Sequence, residues 1–202
     1  MKWYASDITY TYVTPVEKLI TPERNSSVFS RPLTVDELLE LSKDPSYELS
    51  EEAAHYIEAE GQHCYATFNN GIVSAYMYMA TGDIDPKYNN PGAGFGGYGF
   101  RLPSNVLYVY KGFALPDYRG QSQVGITITE GAKALVKPGG WLVTTVDVGN
   151  HSSIRMMEKL GFQRHNKCRE YRLLNRRKYF ISDAMNLGGL ADRNHKRVEL
   201  FY

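Results

Sequence analysis

Apolar and polar residues in the first half of the chain follow the alternation that is typical of strands. Residues 3–15 predict a strand that ends at a proline, and two extended runs follow at 64–68 and 72–80. These two runs are joined by Asn69-Asn70-Gly71. Because Asn and Gly tolerate the positive φ angles of a tight turn, the segment predicts a β-hairpin. Residues 21–33 are polar and interrupted by proline, so we expect a loop there.

Two helices are predicted before the hairpin from their start signals. Thr34 is an N-cap candidate, and Glu37 three residues later completes a capping box. Ser50 caps a second helical segment, which Gly61 would end. The stretch 81–105, after the hairpin, is too rich in Gly and Pro to predict regular structure.

The second half of the chain alternates strand with helix. A β-rich run is followed by apolar residues at helical spacing, then by a buried strand, a short helix and one or two further strands. Strands that alternate with helices predict a β-α-β unit, here following an antiparallel hairpin, and hence an α/β domain. The segments are, in order, 106–115, 124–136, 141–148, a helix that begins at Ser152 or Ser153 and stops at Gly161, and 162–181.

The composition fits a single globular domain. The 202 residues are 43% hydrophobic and 22% charged, which excludes a disordered or fibrous chain. No run reaches the roughly 18 apolar residues of a membrane span, so no membrane partner is expected. Cys64 and Cys168 are too few for a disulfide framework, and we expect a reducing, cytoplasmic location. Tyrosine is the unusual residue, with 16 copies.

The net charge of +1 conceals an uneven distribution. Residues 1–100 carry 6 Lys and Arg against 14 Asp and Glu, whereas residues 151–202 carry 12 against 5. This pattern has three alternative explanations: two faces that attract each other, a solvated face, or a site for a phosphate-bearing ligand. The segment 164–178 holds seven Lys and Arg around Tyr171, which leaves nucleic-acid contact open but not favoured.

Two glycine-containing segments are candidates for a phosphate site. Residues 92–97 match GxGxxG by letter, but no helix is predicted after them, so we expect a cover over a site or a surface loop rather than a dinucleotide site. Residues 118–125 follow a predicted strand and open a helix, where backbone N–H groups and the helix dipole attract phosphate. A plain β-α connection is the alternative. His63-Cys64 has no partner at metal-ligand spacing, and no metal is expected.

Two motifs flank the second strand of the β-α-β unit. The first is Leu115-Pro116-Asp117-Tyr118-Arg119-Gly120, and the second runs from Val146 through Asn150 and Ser153 to Glu158-Lys159-Leu160-Gly161-Phe162. Together they resemble the GNAT superfamily of acyl-CoA-dependent N-acyltransferases, whose motifs read V-x-P-x-Y-R-G, V-x-x-x-N-x-x-A/S and Y-E-K-L-G-F. The resemblance covers residues 106–165. It implies a mixed, splayed β-sheet flanked by helices on both faces.

The resemblance also implies contacts to coenzyme A. The loop amides and the Arg119 side chain would bind the pyrophosphate, and the edge of the preceding strand would pair with the amides of the pantetheine arm. Asn150 would hydrogen-bond to the arm beside Ser153, with a helix cap as the alternative role for Asn150. The implied cofactor-binding residues are Phe113, Ala114, Leu115, Arg119, Gly120, Gln121, Ser122, Gln123, Val124, Gly125, Asn150, Ser153 and Met157.

The chain departs from the family pattern in the loop and in the last helix. The family loop reads R-G-x-G-x-G, whereas Ser122 and Val124 stand at its second and third glycine positions, unless one residue is inserted and Gly125 takes the final place. Met157 stands where many members carry the tyrosine that protonates the departing thiolate. Methionine has no proton to donate, so that role is absent or has moved.

Acyl transfer to an amine needs a group that removes the ammonium proton. Tyr108 and Tyr110 share one face of the strand that leads to the loop, and Tyr108 falls near the family's general-base position. Asp147 is the nearest carboxylate on the second strand. These three are the catalytic candidates, and His151 and Glu158 are further ones. For each of them, packing, capping or a solvated helix face is the alternative role.

The expected protein is a single acyltransferase domain over residues 1–202. Residues 1–105 would form the acceptor side, 106–165 the acyl-CoA-binding core, and 166–202 the last strands and a basic tail. The implied reaction moves an acetyl or other acyl group from acetyl-CoA or another acyl-CoA directly to a primary amine. A catalytically silent acyl-CoA-binding module and an acyltransferase acting on nucleic acid or another macromolecule remain alternatives, and the oligomeric state stays open.

Overall fold

A mixed β-sheet forms the centre of the molecule. The computed structural model describes residues 4–82, 84, 99–100, 102–173, 176–182 and 200–201. The strands are β1 Tyr4–Pro15, β2 Val28–Pro32, β3 Gln62–Asn69, β4 Ile72–Thr81, β5 Gly99–Phe100, β6 Val106–Ala114, β7 Trp141–Asp147, β8 Gln163–Leu173, β9 Arg176–Ser182 and β10 Leu200–Phe201.

Eight of these strands form one sheet, in the order β2-β3-β4-β6-β7-β1-β8-β9. The β6–β7 pair is parallel, and the other described neighbours in this sheet are antiparallel. The short strands β5 and β10 pair with each other. The mixed sheet that the motifs implied is therefore confirmed.

Helices cover both faces of this sheet, as expected. The described α-helices are α1 Val35–Ser42, α2 Glu51–Ala54, α3 Gln123–Leu135 and α4 His151–Lys159. Successive side chains of a strand point to opposite faces. On β4, Tyr76 and Tyr78 accordingly pack with α1 and α2, whereas Met77 and Met79 pack with α3 and α4. None of the helices in the described part of the chain is both long and apolar enough to cross a bilayer.

Local sequence signals place several of these elements correctly. Asn70 and Gly71 connect β3 to β4 with φ angles of 50° and 81°, as the predicted hairpin turn requires. At the start of α1, the Thr34 side chain accepts a hydrogen bond from the Glu37 amide, and the Glu37 carboxylate accepts one from the Thr34 amide. Ser50 caps α2 through the Ala53 amide.

Two expectations about the first half are wrong. The expected loop 21–33 contains β2, which pairs with β3 and stacks Phe29 on Phe68 with 5.0 Å between ring centroids. This pairing partner lies more than thirty residues away, so the local pattern does not reveal it. The second helix is shorter than expected, because α2 ends at Ala54 and continues only as a 3₁₀ turn over His55–Glu58.

The start of α4 also differs from the expectation. The helix begins at His151 rather than at Ser152 or Ser153, because Asn150 is the N-cap. The Asn150 Oδ1 atom accepts hydrogen bonds from the Ser153 amide at 3.1 Å and the Ser152 hydroxyl at 2.9 Å. The two serines therefore serve the cap instead of forming it.

Candidate functional site

The strands β6 and β7 begin as neighbours and then separate. They pair only over residues 106–108 with 141–143, and beyond these residues the two edges diverge. The wedge between them opens into a cleft of about 820 Å³, whose walls come from β6, the start of α3, the end of β7 and α4. The sheet is thus splayed at the point that the motifs indicated.

A β-bulge bends β6 just beyond the last paired residue. Tyr110 lies opposite Tyr78, and Phe113 lies opposite Tyr76. Lys111 and Gly112 of β6 therefore face a single residue of β4, Met77. Lys111, the first residue of the bulge, has a φ of 49°. A bulge increases the local bend and twist of a strand, which favours the departure of β6 from β7.

The loop 118–122, here called the α3 loop, turns the chain from β6 into α3. Gly120 and Ser122 both adopt positive φ angles, 79° and 59°. The first described hydrogen bond of the helix runs from the Ile126 amide to the Ser122 carbonyl at 3.0 Å. The N–H groups of residues 123–125 therefore precede the helical ladder, and such groups at a helix N-terminus attract anions. All three residues line the cleft.

Buried polar groups anchor the first residue of α3. Gln123 is only 5% exposed, and its Oε1 atom accepts a hydrogen bond from the Ser74 hydroxyl at 2.8 Å. The Gln123 carbonyl accepts from the hydroxyls of Thr67, at 3.2 Å, and Thr127, at 3.0 Å. At Gln123 the backbone amide is therefore the group available to a cofactor, because the side chain is anchored to β4 and the backbone carbonyl to β3.

The two glycines at the ends of this region have different roles. A Cβ atom at Gly120 would meet nothing within 4 Å, so this glycine serves the φ angle of 79°. A Cβ atom at Gly125 would lie 3.0 Å from Leu160 and 3.1 Å from Pro22. Gly125 thus allows α3 to pack closely against Leu160 and Pro22. This packing explains the glycine independently of any ligand that binds the backbone there.

The side chain of Arg119 folds back onto the end of β6. Its Nε atom donates to the Ala114 carbonyl at 3.2 Å, and its Nη2 atom lies 3.7 Å from the Glu48 carboxylate. The neighbouring Leu115 amide donates to the Ser74 carbonyl on β4 at 3.0 Å. Because backbone groups alternate along a strand, the polar groups of Ala114 face the cleft. The strand edge expected to bind the pantetheine arm thus offers Ala114, with its carbonyl shared by Arg119.

The opposite wall of the cleft belongs to β7 and α4. Asn150 and Ser153 line it, although the Asn150 amide oxygen serves the helix cap described above. Met157 is only 3% exposed and also lines the cleft. Asp147 also lines the cleft and is exposed, and its carboxylate accepts a hydrogen bond from the Gly149 amide at 2.6 Å.

The tyrosine candidates stack where β6 and β7 part. The rings of Tyr108 and Tyr110 lie 5.7 Å apart at 18°. The Tyr108 hydroxyl is 2.7 Å from the Thr145 hydroxyl and so links the two strands, but Tyr108 is absent from the described cleft wall. Tyr110 does line the cleft, and its hydroxyl donates to Gln62 at 2.7 Å. Tyr110 and Asp147 thus share the cleft, while Tyr108 is behind its wall.

Most other tyrosines near the site support the sheet. The Tyr76 hydroxyl donates to the Tyr47 carbonyl at 3.0 Å, and the Tyr78 hydroxyl donates to the Ala53 carbonyl at 2.7 Å. Burial raises the pKa of both hydroxyls above the usual tyrosine value, so they remain protonated donors. These contacts tie the strand β4 to the α1–α2 segment.

Sequence reasoning missed three cationic residues of the cleft. Arg155 and Lys159 lie one turn apart on α4, and Lys111 stands at the bulge. The i, i+4 spacing of the first two is also that of an ordinary solvated helix face, so it carried no signal alone. The segment 92–97 and most side chains of the basic stretch 164–178 lie outside the described residues. No group of three or more His, Cys, Asp or Glu that could hold a metal occurs among the residues that the structure describes.

Comparison with known proteins shows the fold. No protein-family model matches the chain, and no curated protein matches it in sequence. A GCN5-related N-acetyltransferase from Kribbella flavida has a TM-score of 0.53 at 12% identity, covering 80% of this chain and 56% of its own. A tandem GNAT protein from the clavulanic acid biosynthesis pathway has a TM-score of 0.55 at 11% identity, covering 84% and 54%. A Drosophila protein has a TM-score of 0.55 at 12% identity, covering 85% and 51%.

The chain therefore spans about half the length of these solved structures. Its fold is the GNAT fold, which confirms the architecture that the two motifs implied.

Proposed function

We propose that this chain, which has the GNAT fold, is an acyl-CoA N-acyltransferase that moves an acetyl or other acyl group directly to a primary amine. One observation carries the proposal: the parting of β6 and β7 creates a cleft that has an open strand edge and a helix N-terminus in its wall. A ligand with an amide-bearing arm and a pyrophosphate needs this combination. The likeness in fold to a GCN5-related N-acetyltransferase and to a tandem GNAT protein, both with TM-scores above 0.5, supports the proposal.

The residues present fit coenzyme A along the length of the cleft. The first-turn amides of α3 would bind the pyrophosphate, and the charges of Arg155 and Lys159 would favour the phosphates. The Ala114 backbone would pair with the pantetheine arm, and Asn150 and Ser153 would face the arm from α4. Arg119 would exchange its contact with Ala114 for the pyrophosphate when the arm binds.

In the proposed reaction the nitrogen of the neutral amine attacks the thioester carbon. The new C–N bond replaces the C–S bond, the amine loses a proton, and the departing coenzyme A thiolate gains one. Met157 cannot supply that proton. We propose Tyr110 as the group that orients the amine and its proton, because it lines the cleft with its hydroxyl held by Gln62. Asp147 would accept the proton, and Tyr108 would act through Thr145.

Release of free coenzyme A tests the proposed function. The purified chain is incubated with acetyl-CoA and a panel of primary amines, and the thiol product is measured over time. We expect amine-dependent turnover, together with coenzyme A binding in a separate calorimetric titration. Coenzyme A binding without turnover on any amine would favour an acyl-CoA-binding module instead, a reading that the buried Met157 supports. Absence of both binding and turnover would contradict the proposal.

We further propose that the acceptor is a small amine and that the reaction takes place in the cytoplasm. The acidic balance of residues 1–100 does not attract nucleic acid, while the basic residues 151–202 leave that acceptor class as the other candidate. Retention on DNA or RNA at low salt, lost at high salt, would favour a nucleic-acid acceptor.

A further inference from the structure

The bulge residue Lys111 has a backbone conformation that lysine rarely adopts. Its φ of 49° lies in the left-handed region, which is uncommon for residues other than glycine and carries a cost in free energy. Strained positions of this kind cluster at functional sites. The neighbouring bulge residue, Gly112, carries no side chain, and a Cβ atom there would displace the end of the Met77 side chain. Lys111 is therefore the member of the bulge that offers chemistry.

The Lys111 ammonium is half-buried, and none of the carboxylates that the structure describes lies in salt-bridge contact with it. Its Nζ atom lies 5.6 Å from the centroid of the Tyr56 ring. Glu52 attracts the ammonium only from a greater distance. Burial lowers the pKa of Lys111, because it removes water from the cation and the distant Glu52 charge offsets only part of that loss. Such a group favours an anionic ligand.

Lys111 stands apart from the groups that would bind phosphate. It follows Tyr108, the last residue of β6 paired with β7, by three residues, whereas Arg119 and the first turn of α3 come after the end of β6 at Ala114. An arm whose pyrophosphate lies at the first turn of α3 and whose amide pairs with Ala114 would bring its acyl end toward the bulge. The phosphates of coenzyme A would then be remote from Lys111, so the anion that it meets belongs to the acceptor.

We propose that Lys111 pairs with a carboxylate of the acceptor, so that the protein selects amines with a carboxylate next to the amino group, as in an α-amino acid, over polycationic amines. This inference rests on the proposed function. The carboxylate must be close to the amine, since both the Lys111 side chain and the acyl end of the arm would lie at the same level of β6. A polycationic acceptor would instead meet a like charge, which is unfavourable.

The test compares matched acceptors with acetyl-CoA as donor. We measure kcat/KM for L-amino acids, for their α-carboxamides and for spermidine, using wild type, Lys111→Met and Lys111→Arg. Lys43→Met is the control, because Lys43 is exposed and outside the cleft wall. We expect wild type to prefer carboxylates to amides by about 10- to 100-fold, the range for a charge-assisted contact. Lys111→Met should lose this preference, and Lys111→Arg and Lys43→Met should keep most of it.

The affinity for coenzyme A separates this inference from the proposed function. All variants should bind coenzyme A as wild type does, because Lys111 is remote from the phosphates. Equal use of amides or spermidine by wild type, or an unchanged preference in Lys111→Met, would overturn the inference and leave the proposed function standing. Absence of transfer to every amine would overturn both. If Lys111→Met does not fold, the kcat/KM values of wild type for amino acids, their amides and spermidine still test the inference, together with the Lys111→Arg variant.

Discussion

At the scale of single residues, the α3 loop enters the left-handed region twice, at Gly120 and Ser122. Glycine reaches this region without strain, whereas a residue with a Cβ atom does so at a cost of about 1 kcal/mol or more. Ser122 stands where the resemblance implies a glycine, unless one residue is inserted, and its φ of 59° is one that glycine reaches without strain. The α3 loop thus makes a left-handed turn at a serine, which the letters alone do not reveal.

Replacing Gly120 with alanine tests whether this loop conformation matters for the cofactor. We expect Gly120→Ala to lower the free energy of unfolding by about 1 kcal/mol, because alanine is strained at a φ of 79°. The displaced amides should also weaken coenzyme A binding by roughly tenfold, a loss of about 1.4 kcal/mol. Urea unfolding and calorimetric titration measure the two effects.

Gly139→Ala is the matched control. Gly139 has a φ of 81° and open space around its Cβ position, as Gly120 does, but it lies outside the described cleft wall. Its replacement should cost similar stability and leave the affinity for coenzyme A unchanged. Equal effects of both substitutions on that affinity would show that the α3 loop does not contact the cofactor.

At the scale of elements, α1 is held at its start by a local electrostatic cluster. The Glu37 carboxylate accepts from the Thr34 amide at 2.9 Å and from two Arg31 nitrogens at 2.6 and 3.0 Å. These contacts lower the pKa of Glu37 to about 2, and the hydrogen bonds from Arg31 have the largest effect. Because its pKa is lower in the folded than in the unfolded state, Glu37 stabilises the fold above the unfolded-state pKa of about 4.3.

The substitution Glu37→Gln should therefore have a pH-dependent effect. We expect a loss of about 0.5–1 kcal/mol near neutral pH, a modest value because the pair is partly exposed to solvent. The difference from wild type should shrink as the pH falls below about 4.3 and approach zero near 2. Urea unfolding at several pH values measures it.

Glu40→Gln provides the comparison for this element. Glu40 pairs with Lys43 on the same helix, but its side chain is 74% exposed and takes no part in the cap. Its replacement should change stability by less than that of Glu37. A difference for Glu37→Gln that is independent of pH would contradict the role given to its carboxylate.

The elements also show why some of the fold is predictable. The cap of α1 and the turn at Asn70-Gly71 depend on residues within a few positions of each other, so their letters suffice. The strand β2 exists through its pairing with β3, and the α4 cap depends on which of Asn150, Ser152 and Ser153 accepts the hydrogen bonds. Local patterns do not decide between such competing partners.

At the scale of the whole molecule, the site arises from an arrangement of distant segments. The motifs identified the two strands and the loop that form the cleft. They did not reveal that Arg119 contacts Ala114, that Gln123 is anchored to Ser74, or that Lys111 stands at a bulge. Each of these depends on contacts between β6, α3 and the strands beyond them, which become defined only when the sheet is assembled.

A crystal structure of the chain with bound coenzyme A tests the central claim most directly, because that claim concerns where and in which direction the cofactor lies. We predict the pyrophosphate within about 3 Å of the amides of residues 123–125, and a pantetheine amide hydrogen-bonded to the Ala114 backbone in the wedge between β6 and β7. Coenzyme A bound away from this wedge, or no bound coenzyme A at a saturating concentration, would contradict the account.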